Sequence, residues 1–188
     1  MEKRHKVFLA INIPDDIKSQ LSSYEGRFLN LPAKWIKKEN LHLTLVFLGN
    51  LTDTEIGETC IAVKDIVKNY KSFDLKFNKV CYGPDKKIPP KMVWANIEKS
   101  KDLSILKKDL QEKISQRINF YLDFKSFLPH ITLAKIKTIE WRSCDPEELP
   151  DVNDFLDFDF TVSSIELMES NLSKGGPYYS VVESFSLK

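Results

Sequence analysis

The same order of elements runs twice along this chain, and that duplication constrains its fold more than any other feature. Val7-Phe8-Leu9-Ala10-Ile11-Asn12 is an apolar run closed by Pro14, and from Asp15 the residues Ile17, Leu21, Tyr24, Phe28 and Leu31 recur near helical spacing. A strand and then a helix are predicted. Leu41 to Leu48 alternates up to a turn at Gly49-Asn50, Thr52-Asp53-Thr54-Glu55 reads as a capped helix start, and Phe73-Asp74-Leu75-Lys76-Phe77 alternates strictly. After a Pro- and Lys-rich connection over residues 83–91 the order begins again. Met92 to Ile97 predicts a strand, Leu103, Leu106, Leu110, Ile114 and Ile118 share a helical face, Pro129 to Ala134 predicts a strand, and Phe158-Asp159-Phe160-Thr161-Val162 repeats the Phe-Asp opening. The offsets are 94 − 8 = 86, 130 − 42 = 88 and 158 − 73 = 85. Three landmarks at nearly one spacing predict a single bilobal domain over 1–188, with halves 1–85 and 92–188, rather than a solenoid of many shorter units. A closing hairpin is expected from Ser164 to Phe185 around Ser173-Lys174-Gly175-Gly176-Pro177. Mixed helices and hairpin-connected strands give an α+β class.

Composition narrows the function. The 28 Lys and Arg against 27 Asp and Glu leave a net charge of +1, without the broad positive field of a general duplex-DNA binder. A local basic groove stays open, with Lys34, Lys37, Lys38, Lys86, Lys87 and Lys91 as either solvated faces or a rim that steers an RNA backbone. The apolar runs are too short to cross a bilayer, and Met1-Glu2-Lys3-Arg4-His5-Lys6 is not the start of a secretory leader, so a cytoplasmic protein with no membrane partner is expected. Cys60, Cys81 and Cys144 form no CxxC pair and have no histidine at zinc spacing. Reduced thiols, no metal and no cofactor follow as expectations.

Two of the three histidines share one context: His42-Leu43-Thr44-Leu45 and His130-Ile131-Thr132-Leu133. Random placement would produce this with a chance on the order of 10⁻⁴, so a shared role outweighs coincidence. In a strand, His42 and Thr44 point to one face while Leu41, Leu43, Leu45 and Phe47 point to the other, and the second copy behaves alike. Two lobes related by a pseudo-twofold would bring two imidazoles and two hydroxyls to one cleft. One imidazole can serve as base and the other as acid near neutral pH, and Thr hydroxyls can donate to non-bridging phosphate oxygens. In-line displacement at phosphorus needs that arrangement, so metal-independent phosphodiester chemistry is predicted. His5 has no such motif and sits in a charged segment, where a solvated side chain is expected. Trp35 and Trp94 read as core, and Cys60 as a buried, inert thiol.

The paired His-x-Thr motifs resemble those of the 2H phosphoesterase superfamily, and within it the RNA 2′,3′-cyclic phosphodiesterases, historically called 2′-5′ RNA ligases. Val7 to Ile11, Lys34-Trp35-Ile36, Glu39 to Leu45, Phe47-Leu48-Gly49, Val93-Trp94-Ala95, Pro129 to Lys135 and the ending Ser170 to Phe185 resemble family segments in the same order. The resemblance implies two lobes of antiparallel sheet with outer helices around a central groove. It also implies opening of a terminal 2′,3′-cyclic phosphate to a 2′-phosphate by a monomer whose partner is RNA or an oligonucleotide. Carried onto this sequence, it makes His42 the proton donor, His130 the proton acceptor, and Thr44 and Thr132 the phosphate donors; the motifs alone allow the reverse order of acid and base. Joining of ends through the reverse reaction, action on small cyclic nucleotides, and an idle RNA-end-binding module are the rival readings. Lys135 stands where the family often has arginine, and keeps the charge without the bidentate fork. Strict alternation turns Lys135 away from His130, and only a bulge or twist would bring it back. Phe8, Phe47 and Tyr179 are candidates for stacking on substrate bases.

Overall fold

A computed structural model describes residues 2–84, 88–122, 126–174 and 176–188. Lys86, Lys87 and Gly175, named above, lie outside them. The elements are β1 (His5–Asn12), α1 (Asp15–Ser22), α2 (Tyr24–Arg27), β2 (Ala33–Trp35), β3 (His42–Leu51), α3 (Asp53–Val67), β4 (Phe73–Gly83), β5 (Met92–Ile97), α4 (Lys101–Ser115), β6 (His130–Ile136), α5 (Thr138–Ser143), β7 (Asn153–Phe155), β8 (Asp159–Val162), β9 (Ser164–Ser173) and β10 (Gly176–Ser186). The class is α+β, with every described strand pair antiparallel. The strands run β10-β9-β1-β3-β6-β5-β4-β7, with β2 on β6 and β8 on β4 off this path.

The repeat seen in the sequence is also written in the sheet, with an exchange. β1 takes β9 of the second half as a neighbour, and β5 takes β4 of the first half. The ladder pairs Leu43 with Ile131 and Leu75 with Phe160 join positions separated by the repeat offset itself, 131 − 43 = 88 and 160 − 75 = 85. A pseudo-twofold therefore passes between β3 and β6. Beneath it, Leu43, Leu45, Ile131 and Leu133 belong to one core with Val63 of α3 and Leu103, Leu106 and Leu110 of α4. Burial of these side chains contributes roughly 1.5–3 kcal/mol each and anchors the two central strands.

Local chemistry sets the element ends. Thr52 opens α3 as anticipated: its hydroxyl accepts from Glu55 N at 3.2 Å, and the Glu55 carboxylate accepts from Thr52 N at 2.8 Å. The first helix is shorter than its spacing suggests, because Ser22 and Ser23 turn their hydroxyls onto the carbonyls of Ser19 and Gln20 and the chain breaks into α1 and α2. His5 departs from expectation. Its side chain is only 14% exposed, and Nδ1 lies 2.6 Å from Glu169 and Nε2 3.3 Å from Asp53, because the β1–β9 ladder sets Glu169 nearby.

Candidate active site

β3 and β6 share a single ladder pair, Leu43 with Ile131, and part on either side of it. One step along the antiparallel register brings His42 opposite Thr132 and Thr44 opposite His130. With Leu43 and Ile131 buried, alternation turns both imidazoles and both hydroxyls to the other face. All four line a groove of about 750 Å³.

The two imidazoles are held by the same kind of bond at Nδ1. His42 Nδ1 lies 2.7 Å from the Asn40 carbonyl and His130 Nδ1 lies 2.7 Å from the Leu128 carbonyl. A carbonyl oxygen only accepts, so each Nδ1 carries the proton and each Nε2 is left to do chemistry. The Thr44 hydroxyl donates to His42 Nε2 at 3.1 Å, and the Thr132 hydroxyl rests 3.8 Å from Met92 Sδ. Burial pushes both imidazoles below the ordinary value of 6.5; the carbonyl bonds oppose this, and the Lys18 charge adds to it at His42. Burial thus favours the neutral form of both rings.

Matching bulges correct two expectations. Along β1–β3 the register passes from Leu9–Val46 to Ala10–Thr44, and along β5–β6 from Val93–Ala134 to Trp94–Thr132. Leu45 and Leu133 are the extra residues, and each leaves two consecutive buried side chains, Leu45-Val46 and Leu133-Ala134. Alternation inverts beyond them. Phe47, expected beside the buried leucines, is instead 71% exposed and lines the groove. Lys135, expected to face away from His130, lines it too, directly across from Lys34 on β2.

Phe8, Phe47 and Tyr179 gather on the His42 side. Phe8 is buried with its ring centroid 5.0 Å from His42, Tyr179 meets His42 edge-on at 5.0 Å, and Phe47 lies 6.3 Å from Phe8. Asn40, which the sequence reading did not single out, is buried and donates from Nδ2 to the Pro177 carbonyl at 2.9 Å. It ties the hairpin of Tyr179 to the segment that holds His42. Trp94, read as core, is buried but also lines the groove, stacked on His130 with centroids 3.8 Å apart at 20°. Its 86-residue offset from Phe8 was the available signal. Lys107, Gln111 and Phe127 line the groove on the His130 side, with Lys107 Nζ 4.3 Å from the Phe127 ring centroid. Of the rim lysines, Lys38 pairs with Asp15 at 2.8 Å. Among the described residues, no three His, Cys, Asp or Glu side chains gather as a metal ion would require, and no helix is long and apolar enough to cross a membrane.

Two His-x-Thr strands meeting about a pseudo-twofold make a site that can hold a tetrahedral anion between two proton-transfer groups. The chain belongs to the LigT-like phosphoesterase family, whose model matches residues 11–94 and 99–179. It is 28% identical over 181 residues to an RNA 2′,3′-cyclic phosphodiesterase of Thermotoga maritima, covering 94% of this chain and 92% of that one. A protein of the same name from Aquifex aeolicus is 30% identical over 161 residues, covering 85% and 84%. The fold matches a crystal structure of a Thermus thermophilus protein with a TM-score of 0.82 at 24% identity, covering 97% of both chains. It also matches Escherichia coli LigT complexed with 3′-AMP, with a TM-score of 0.80 at 19% identity and 99% of both chains covered.

Proposed function

We propose that this protein is a metal-independent RNA 2′,3′-cyclic phosphodiesterase that opens a terminal 2′,3′-cyclic phosphate to a 2′-phosphate, with His42 and His130 as acid and base. The observation that carries the reading is the arrangement of His42, Thr44, His130 and Thr132 about one pseudo-twofold, with the proton of each imidazole held at Nδ1 by the same kind of backbone bond. Relatives named RNA 2′,3′-cyclic phosphodiesterase, 28% and 30% identical over most of the chain, support the substrate class.

The asymmetry of the groove favours one assignment of roles. When water attacks phosphorus in line with the departing O3′, the ribose and base lie on the leaving-group side. Tyr179 lies edge-on to His42, and the exposed Phe47 lies beyond Phe8, the ring that backs His42, so the nucleoside is assigned to this side and His42 protonates O3′. His130, on the other side, takes the proton of the attacking water at Nε2. The P–O3′ bond breaks as the new P–O bond forms, and the phosphate stays on O2′. Thr44 and Thr132 donate to the non-bridging oxygens, where charge grows in the transition state. The anionic phosphate raises the proton affinity of His42 on binding, which gives the acid its proton.

A short RNA ending in a 2′,3′-cyclic phosphate, incubated in EDTA and resolved by chromatography, tests the reading. Wild type is expected to yield the 2′-phosphate, and His42→Ala and His130→Ala to lose about 10²- to 10⁴-fold in rate. Intact RNA after incubation with wild type, or full activity in both variants, would overturn it.

A further inference from the structure

The two catalytic-face histidines are not backed alike. Phe8 lies 5.0 Å from His42 at an interplanar angle of 32°, whereas Trp94 stacks on His130 at 3.8 Å and 20°. The indole is wedged from behind as well. A Cβ on Gly83 would fall 2.2 Å from Trp94 Cδ2 and 2.5 Å from Cε2 and Cε3, so only glycine lets the ring lie flat against β4. The pseudo-equivalent pair lacks this fit: Phe8 matches Trp94, and Ser170, which lines the groove, stands where Gly83 stands in the other half, at 170 − 83 = 87. Gly83 is buried and Trp94 is 7% exposed, so the backbone, the indole and the imidazole form a three-layer stack that ends at the groove.

We infer that Trp94, seated on Gly83, is a positioning residue that fixes the ring plane of His130 and aims its Nε2 at the attacking water. The inference rests on the proposed reaction. The Leu128 carbonyl holds the imidazole at its edge, through a single hydrogen bond at Nδ1. The stacked indole supports the ring over its face and resists tilting that would stretch that bond and swing Nε2. Because a general base loses efficiency steeply when its reach changes by about 1 Å, the stack acts on turnover rather than on binding. It also excludes water from one face of His130, where burial already holds the imidazole below its ordinary range.

Steady-state kinetics on the cyclic-phosphate RNA tests this with Trp94→Leu, Trp94→Phe and Gly83→Ala, each checked for folding by circular dichroism. Trp94→Leu is expected to lower kcat about 10- to 100-fold with KM within about twofold, and to move the acidic limb of the kcat profile to higher pH as His130 regains water. Trp94→Phe is expected to recover most of the rate because it restores a flat face. Gly83→Ala pushes the indole off its seat and is expected to copy Trp94→Leu; it carries the test if Trp94→Leu does not fold. Folded Trp94→Leu or Gly83→Ala protein with wild-type kcat and an unmoved pH limb would overturn the positioning role. Absence of turnover in wild type would instead remove the proposed reaction itself.

Discussion

At the scale of single residues, the site depends on two backbone carbonyls, Asn40 and Leu128, that place the proton of each imidazole on Nδ1. Both rings are held below 6.5 by burial, so in the free enzyme one ionised and one neutral histidine coexist most often at acidic pH. The kcat/KM profile reports the free enzyme and is expected to peak below pH 6.5, falling on the alkaline side as His42 loses its proton and on the acidic side as His130 gains one. A maximum well above that value would contradict catalysis by this pair of buried imidazoles. Phe47 presents most of its ring to the groove and supports no core, so Phe47→Ala is expected to raise KM for RNA roughly fivefold or more through lost base stacking, with unchanged thermal stability. The gathering of His42, Thr44, His130 and Thr132 in one groove was legible because a repeated four-residue pattern in a strand carries its own geometry. The placement of Trp94 against His130 was not, because a tryptophan in a buried strand has the same sequence signature whether its ring meets core or imidazole. The carbonyls of Asn40 and Leu128 leave no side-chain signature at all.

At the scale of elements, caps and strands were read well and the bulges were not. Thr52 and Glu55 satisfy each other's backbone N–H at the start of α3, so Thr52→Ala is expected to destabilise the fold by about 1 kcal/mol, measured by urea denaturation, with kcat unchanged. No shift in the unfolding midpoint would show that the cap contributes nothing. The alternation rule put Phe47 and Lys135 on the wrong face because it assumed an unbroken pleat. Leu45-Val46 and Leu133-Ala134, paired apolar residues inside otherwise alternating strands, were the trace of the bulges. Through those two extra residues the central strands present an aromatic, Phe47, and a cation, Lys135, to the groove.

At the scale of the whole molecule, the repeat was visible in sequence while the exchange of strands was not. Similarity between segments reports common geometry, but strand pairing depends on which edge each half leaves open. β4 completes the sheet beside β5, and β9 beside β1, so each sequence half keeps its own central pair, β1–β3 or β5–β6, but takes its outer strand from the other half. Fragments 1–90 and 91–188 expressed apart are expected to give unfolded NMR spectra and to regain dispersion and activity on mixing; a dispersed spectrum from either fragment alone would contradict this. The pairing of β3 with β6 at the centre of the sheet sets His42 and His130 on adjacent strands, as a division into acid and base on either side of one phosphate requires. The most direct test of that division of labour is single-turnover opening of an RNA cyclic phosphate in which sulfur replaces O3′, since a thiolate departs without a proton. His42→Ala is expected to approach wild-type rate on this substrate while His130→Ala stays slow; equal impairment of both, or rescue of His130→Ala instead, would contradict His42 as the acid and His130 as the base.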